Sequence, residues 1–123
     1  MNVVDSSAWL AYFTESANAA VFADAIEDTE QLIVPAICLL EVFKKVLRER
    51  SEGEALRVAA QMQLGHVALL DDFLAVEAAR YGHQYRLPLA DSIIFATAQR
   101  FKATLWTQDA DFEGLPNVHY VTV

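Results

Sequence analysis

Four acidic residues, Asp5, Glu41, Asp91 and Asp109, fall at the ends of short apolar segments or within the helices beside them. Placed that way, acids distant in sequence can meet at one edge of a sheet. Gathered carboxylates are costly without a cation, since two charges about 5 Å apart repel by about 3 kcal/mol at an effective dielectric of about 20. Either some of the acids hold protons at neutral pH, or a divalent ion sits among them. An all-oxygen donor set favours magnesium, with manganese as a substitute, over zinc or copper. Such an ion orients water, lowers its pKa and offsets charge on a phosphorane-like transition state, so no histidine base is required. One ion and two are both compatible with four acids.

The helix carrying Glu41 adds a second feature. At about 100° per residue, Leu39, Val42, Phe43 and Val46 form an apolar face, and Lys44, Lys45 and Arg48 project within roughly 60° of Glu41 on the polar one. Lys45 and Arg48 lie about 6 and 10 Å farther along the axis. A carboxylate followed by a basic stripe suits a metal followed by neighbouring phosphates. An ordinary i, i+4 ion pair between Glu41 and Lys45 accounts for the same residues equally well. The remaining polar residues have plainer readings. Asp111 is a candidate fifth ligand, but a turn or cap beside Phe112 is its plainer reading, and the Asp71-Asp72 pair suits a helix start. His66, His83 and His119 lack ligand spacing. Trp9, Phe13, Phe95 and Phe101 suit core or dimer contacts, and Cys38 an inert buried thiol. No glycine-rich phosphate loop is present.

The elements that must position the acids alternate in type. Asn2 to Asp5 reads as a short strand, after which Ser6 and Ser7 offer capping hydroxyls to a helix containing Trp9, Leu10 and Phe13. Residues 18–28 are helical, 31–34 form a buried strand, and Pro35 precedes a long helix reaching about Arg50. Another helix covers 52–63, Gly65 breaks it, and Val67 to Leu70 forms a third strand. Asp71 or Asp72 starts a helix that ends at Arg86-Leu87-Pro88. A last helix from Leu89 to Lys102 leads to a strand at 104–106 and a possible fifth at 118–121. Strands separated by helices argue for an α/β sandwich around a short parallel sheet of four to five strands. Apolar strands without polar alternation suit a sheet covered on both faces. Parallel strands deliver their C-terminal ends to one edge, where ligands bind, and a first-turn carboxylate such as Asp91 is favoured by the helix dipole.

The 123 residues fit one domain, and the 54% apolar content suffices for a sizeable core. Neither a signal peptide nor a membrane span is expected, and the single cysteine fits a reducing, cytoplasmic setting. The net charge of −8 tells against a nucleic-acid ligand over most of the surface. A nuclease reading requires metal ions and a local basic patch to reverse the field near the site.

Four segments together resemble the motifs of the PIN-domain family, and in particular of the VapC-type toxins of bacterial and archaeal toxin–antitoxin pairs. They are Val4-Asp5-Ser6-Ser7-Ala8-Trp9-Leu10, Val34-Pro35-Ala36-Ile37-Cys38-Leu39-Leu40-Glu41-Val42, Leu87-Pro88-Leu89-Ala90-Asp91-Ser92-Ile93-Ile94-Phe95-Ala96-Thr97-Ala98 and Thr104-Leu105-Trp106-Thr107-Gln108-Asp109-Ala110-Asp111-Phe112-Glu113-Gly114-Leu115. They occur in order over essentially the whole chain. The resemblance implies a three-layer α/β/α sandwich and magnesium-dependent endoribonuclease activity, in which metal-activated water cleaves RNA phosphodiester bonds. By position, Asp5 and Asp91 are the principal metal ligands and Glu41 and Asp109 complete the acidic site, with Ser6 and Thr107 as supporting hydroxyls. The family also implies inhibition by an antitoxin protein and homodimerisation. Ala36 and Cys38 stand where the family often has Ser or Thr, and Gln108 where a basic residue is common. Two alternatives accompany this reading. One is a receiver-type phosphoacceptor domain, which would show an acidic pair after the first strand and a lysine after the last. The other is an inactive PIN-like binding module.

Overall fold

The computed structural model describes residues 1–123, and its elements follow from short apolar runs punctuated by caps. They are β1 (Asn2–Val4), α1 (Ser6–Phe13), α2 (Ala19–Glu27), β2 (Leu32–Pro35), α3 (Ala36–Glu49), α4 (Glu52–Met62), β3 (His66–Ala68), α5 (Asp72–Tyr85), α6 (Leu89–Arg100), β4 (Thr104–Thr107) and β5 (Val118–Tyr120). Short 3-10 turns at Thr29–Gln31 and Ala110–Phe112 complete the chain.

All strand pairings are parallel, in the order β3-β2-β1-β4-β5. Successive residues of a strand face opposite sides of the sheet, yet Val3 and Val4 are both fully buried, as are all four residues of β2. Both faces are therefore covered, which gives the α/β/α layering. Helix α6 lies against β1, β2 and β4, while α2 packs on β1 and α1 on β4. A receiver domain would need the order 2-1-3-4-5. The observed order excludes it.

Both helices that carry a central acid begin directly after a proline, α3 after Pro35 and α6 after Pro88. A fixed φ and a missing N–H cost nothing where helical donors lack partners anyway. Two local expectations need correction. Asp5, not Ser6 or Ser7, caps α1, because its Oδ1 accepts the Ala8 N–H at 2.9 Å while both serines already lie in the first turn. The third strand spans His66–Ala68 rather than reaching Leu70, because Ala68 pairs with Pro35, the last residue of β2. With no neighbour beyond that point, Leu69 and Leu70 emerge from the sheet and are exposed.

Gly65 marks the tight entry to β3. A Cβ there would stand 2.9 Å from the Leu32 carbonyl oxygen and 3.0 Å from side-chain atoms of Leu32 and Val34. Only a residue without a side chain lets the chain pass β2 so closely.

Candidate active site

Strand order places a topological switch point between β1 and β4. The first three strands progress to one side of β1, and the chain then crosses to its other side. In open parallel sheets the crevice at such a point, outside the strands' carboxyl ends, is where ligands bind. Asp5 immediately follows β1, and Thr107 ends β4 two residues before Asp109.

The Asp5 side chain is 2% exposed and held by three hydrogen bonds. Ser7 Oγ donates to Oδ1 at 2.8 Å, the Ala8 N–H donates to the same oxygen, and Thr107 Oγ1 donates to Oδ2 at 2.7 Å. Thr107, itself fully buried, also accepts the Asp109 N–H at 2.9 Å. One hydroxyl thus ties the loop after β4 to the carboxylate after β1. Asp109 in turn caps the following 3-10 turn, its Oδ1 accepting the Asp111 N–H at 2.9 Å.

Asp91 sits in the first turn of α6, facing these groups. Carboxylate oxygens of Asp91, Asp109 and Asp111 all lie within 4.8 Å of one another. Burial first, then the charges of Asp109, Asp5 and Asp111, push the Asp91 carboxyl up to about 8. Burial also dominates at Asp5, raising it to about 6 against the lowering effect of its hydrogen bonds, with the Asp109 charge adding to the rise. Asp5, Asp91, Asp109 and Asp111 therefore form one electrostatically coupled set at the switch point.

Glu41 stands slightly apart from that set. Ser6 Oγ donates to its Oε1 at 2.7 Å. Glu41, Lys44, Lys45, Arg48 and Ser6 line one groove of about 320 Å³ between α1 and α3. The alternative pairing of Glu41 with Lys45 is not formed. Lys45 instead meets Glu49 at 3.5 Å, as Arg48 does at 3.7 Å, and all three side chains are well exposed.

Cys38 is fully buried beneath this region, its thiol donating weakly to the Val4 carbonyl at 3.8 Å. Burial, reinforced by the charges of Asp5, Glu41 and Asp91, pushes the thiol far above its usual range. It is inert as a nucleophile. Two residues whose plainer sequence readings were structural, Asp111 as a turn residue and Ser7 as a cap, also stand at the site. Asp111 keeps its turn position but also brings a carboxylate to Asp91 and Asp109. Ser7 joins Asp5 to the Gln108 N–H, which donates to its Oγ at 3.3 Å. Their one signal was proximity, each lying two residues from an acid already singled out.

The donor set suits a hard divalent cation. It is built from carboxylate oxygens alone, and two members are raised in a way that a bound positive charge would reverse. Imidazole and thiolate donors are absent from the cluster, so magnesium or manganese matches the set better than zinc.

The PIN-domain family profile matches residues 3–117. No curated protein sequence matches the chain. Among solved structures, a toxin–antitoxin complex from Klebsiella pneumoniae is similar with a TM-score of 0.84 and 23% identity, covering 100% of both chains. VapC20 of Mycobacterium tuberculosis, described as a sarcin–ricin loop cleaving toxin, gives 0.77 and 16% identity over 100% of this chain and 98% of that one. DNA-bound VapBC from Salmonella typhimurium gives 0.75 and 13%, over 98% and 96%. At these identities the likeness to each structure is one of fold.

Proposed function

Because this chain belongs to the PIN-domain family, we propose that it is a magnesium-dependent endoribonuclease and the toxin of a toxin–antitoxin pair. The observation that carries this reading is the coupling of Asp5, Asp91 and Asp109 at the switch point of the sheet. In a chain of this family, that is where a phosphodiester would meet a cation.

Asp5, Asp91 and Asp109 would hold the divalent ion, and Glu41 would complete the acidic site. A cation bound there supplies positive charge to phosphoryl oxygens and acidifies nearby water. The protein's own groups do the rest. Thr107 and Ser7 fix the Asp5 carboxylate through short hydrogen bonds, and Ser6 fixes Glu41, so neither must reorganise when substrate arrives. Lys44, Lys45 and Arg48 bind the phosphates flanking the scissile one. The exposed pairs of Lys45 and Arg48 with Glu49 are weak enough to exchange for phosphate.

Inhibition by an antitoxin protein draws support from the described partners of the similar structures. It also draws on an apolar groove of about 410 Å³ along α3 and α4, lined by Leu39, Leu40, Phe43 and Leu47, which adjoins the basic groove at Leu40 and Lys44. An amphipathic segment laid there would reach the site. Homodimerisation is supported by the exposed Leu69, Phe73, Val76 and Leu89 around α5 and the start of α6. No helix is long and apolar enough to cross a membrane, and a lone buried cysteine is in keeping with a cytoplasmic enzyme.

Purified protein freed of its partner should cleave RNA with magnesium or manganese and stop on addition of chelator. Asp91→Asn should lower the rate on the order of 10²–10³-fold with an unchanged circular dichroism spectrum. Cleavage by that variant at the parental rate would remove Asp91 from the site. Absence of cleavage by the parent under all divalent cations would favour an inactive binding module.

A further inference from the structure

The basic groove beside Glu41 does not end at Lys45. A second groove of about 390 Å³ shares Leu10 and Lys45 with it and continues along α1 and α3, lined by Ser7, Thr14, Ser16, Arg50 and Gln108, with Glu49, the partner of Lys45 and Arg48, as its one acid. The two serines that open α1 face different parts of this trough. Ser6 belongs to the Glu41 side, and Ser7 to the side that reaches Gln108. The second groove therefore begins at Ser7, two residues from Asp5, and at Gln108, one residue from Asp109.

Its chemistry is that of a polynucleotide path. Lys44, Lys45, Arg48 and Arg50 are four of only nine basic residues in a chain of net charge −8, and all line the trough within one helix and its end. Arg50 forms no ion pair and stands at the C-terminal cap of α3, where the helix dipole favours a cation. Gln108 is held in one orientation, because its Oε1 accepts from Asn18 Nδ2 at 3.0 Å and Asn18 is also anchored to the Thr122 carbonyl at 3.1 Å. That leaves the Gln108 Nε2 donors without a protein partner. The Thr14 and Ser16 hydroxyls donate to the carbonyls of Leu10 and Ala11, so they present acceptor lone pairs to the groove. A cation, a fixed amide donor and hydroxyl acceptors together match a phosphate followed by the polar edge of an unpaired base.

We propose that the trough between α1 and α3 is a nucleotide subsite beyond the scissile phosphate, in which Arg50 holds a backbone phosphate and Gln108 reads an acceptor on the neighbouring unpaired nucleotide. This rests on the nuclease reading, and it makes the substrate single-stranded on that side of the cut.

The test measures binding of a fluorescent single-stranded RNA octamer and of a dinucleotide in the Asp91→Asn background, where the strand is not cut. Arg50→Ala should weaken octamer binding about tenfold, leave the dinucleotide unchanged and reduce the slope of log affinity against log salt by about 0.7, the contribution of one phosphate on a single strand. Gln108→Ala should weaken binding without moving that slope, and should alter the ranking of octamers that differ in base at one position. Octamer binding and salt slope unchanged by both substitutions would overturn the subsite, as would equal losses on octamer and dinucleotide. Failure of the nuclease reading appears separately, as parental protein that does not cleave the octamer with magnesium or manganese.

Discussion

The Asp5 carboxylate accepts three hydrogen bonds and still titrates above its ordinary value, because burial outweighs those bonds and Asp109 adds repulsion. Asp91 is pushed further by the same burial and by three neighbouring acids. A carboxyl raised in the folded state binds its proton more tightly there than in the unfolded chain. Its contribution to stability is therefore complete below the unfolded value of 3.8 and is lost as pH rises through the folded one. For the metal-free protein that window runs from about 4 to about 8. Over it the near-fully buried Asp5 alone accounts for about 3 kcal/mol, from a rise of 3.8 to about 6 at 1.36 kcal/mol per pH unit. Urea unfolding in chelator should show stability falling between pH 4 and 8. Asp5→Asn should flatten the lower part of that fall, and Asp91→Asn the upper part. Asparagine is tolerable at position 5, since its oxygen can still accept from Ser7 and Ala8. Magnesium should restore stability above pH 7. A parental protein whose stability tracks that of both variants across the range would mean that neither carboxyl holds its proton in the fold.

At the scale of elements, the sheet and its helices were legible because their signals are local. Pro35 and Pro88 announce the starts of α3 and α6, and the unbroken apolar run Leu32-Ile33-Val34 announces a strand covered on both faces. What was not legible depends on which strand lies beside which. Leu69 and Leu70 have the composition of a strand but leave the sheet because β2 turns into α3 at Pro35. The Glu41–Lys45 spacing fits an ion pair, yet Ser6, 35 residues away, takes the carboxylate. Asp111 looks like a turn residue because it is one, and only the approach of α6 brings Asp91 to it. Gly65 carries the same lesson as a prediction. Nothing in its neighbours requires glycine, but a Cβ would press on the backbone oxygen of Leu32, which cannot rotate away as a side chain would. Gly65→Ala should destabilise the protein by about 1–3 kcal/mol through this overpacking, read as a lower urea midpoint with unchanged slope. Gly53→Ala is the control, since its nearest neighbour would stand at 4.0 Å and alanine favours the helix. A midpoint for Gly65→Ala equal to the parental value would mean that β2 and β3 are not this close in solution.

For the molecule as a whole, the proposed RNA substrate meets a chain of charge −8, and distance weakens the opposition of the acids remote from the site. The cations of α3 lie along the trough beside the switch-point edge. Asp28 and Glu30, by contrast, precede or lie in the turn that enters β2, at the opposite, N-terminal edge of the sheet, and both are exposed. The four residues of β2, at about 3.3 Å each, separate the two edges by roughly 10 Å or more. That exceeds the Debye length of about 8 Å at physiological ionic strength but is well inside the roughly 30 Å at 0.01 M salt. The remote acids should therefore oppose RNA approach only in dilute buffer. Neutralising both, as Asp28→Asn with Glu30→Gln, should raise the association rate about two- to fivefold at 0.01 M salt and change nothing at 0.15 M. The cleavage pattern should stay the same, because those residues contact no part of the strand. Stopped-flow association of labelled RNA at the two salt concentrations decides the matter. A gain that persists at 0.15 M would mean that RNA touches the N-terminal edge, and the substrate path would then have to extend around the sheet rather than lie in the trough between α1 and α3.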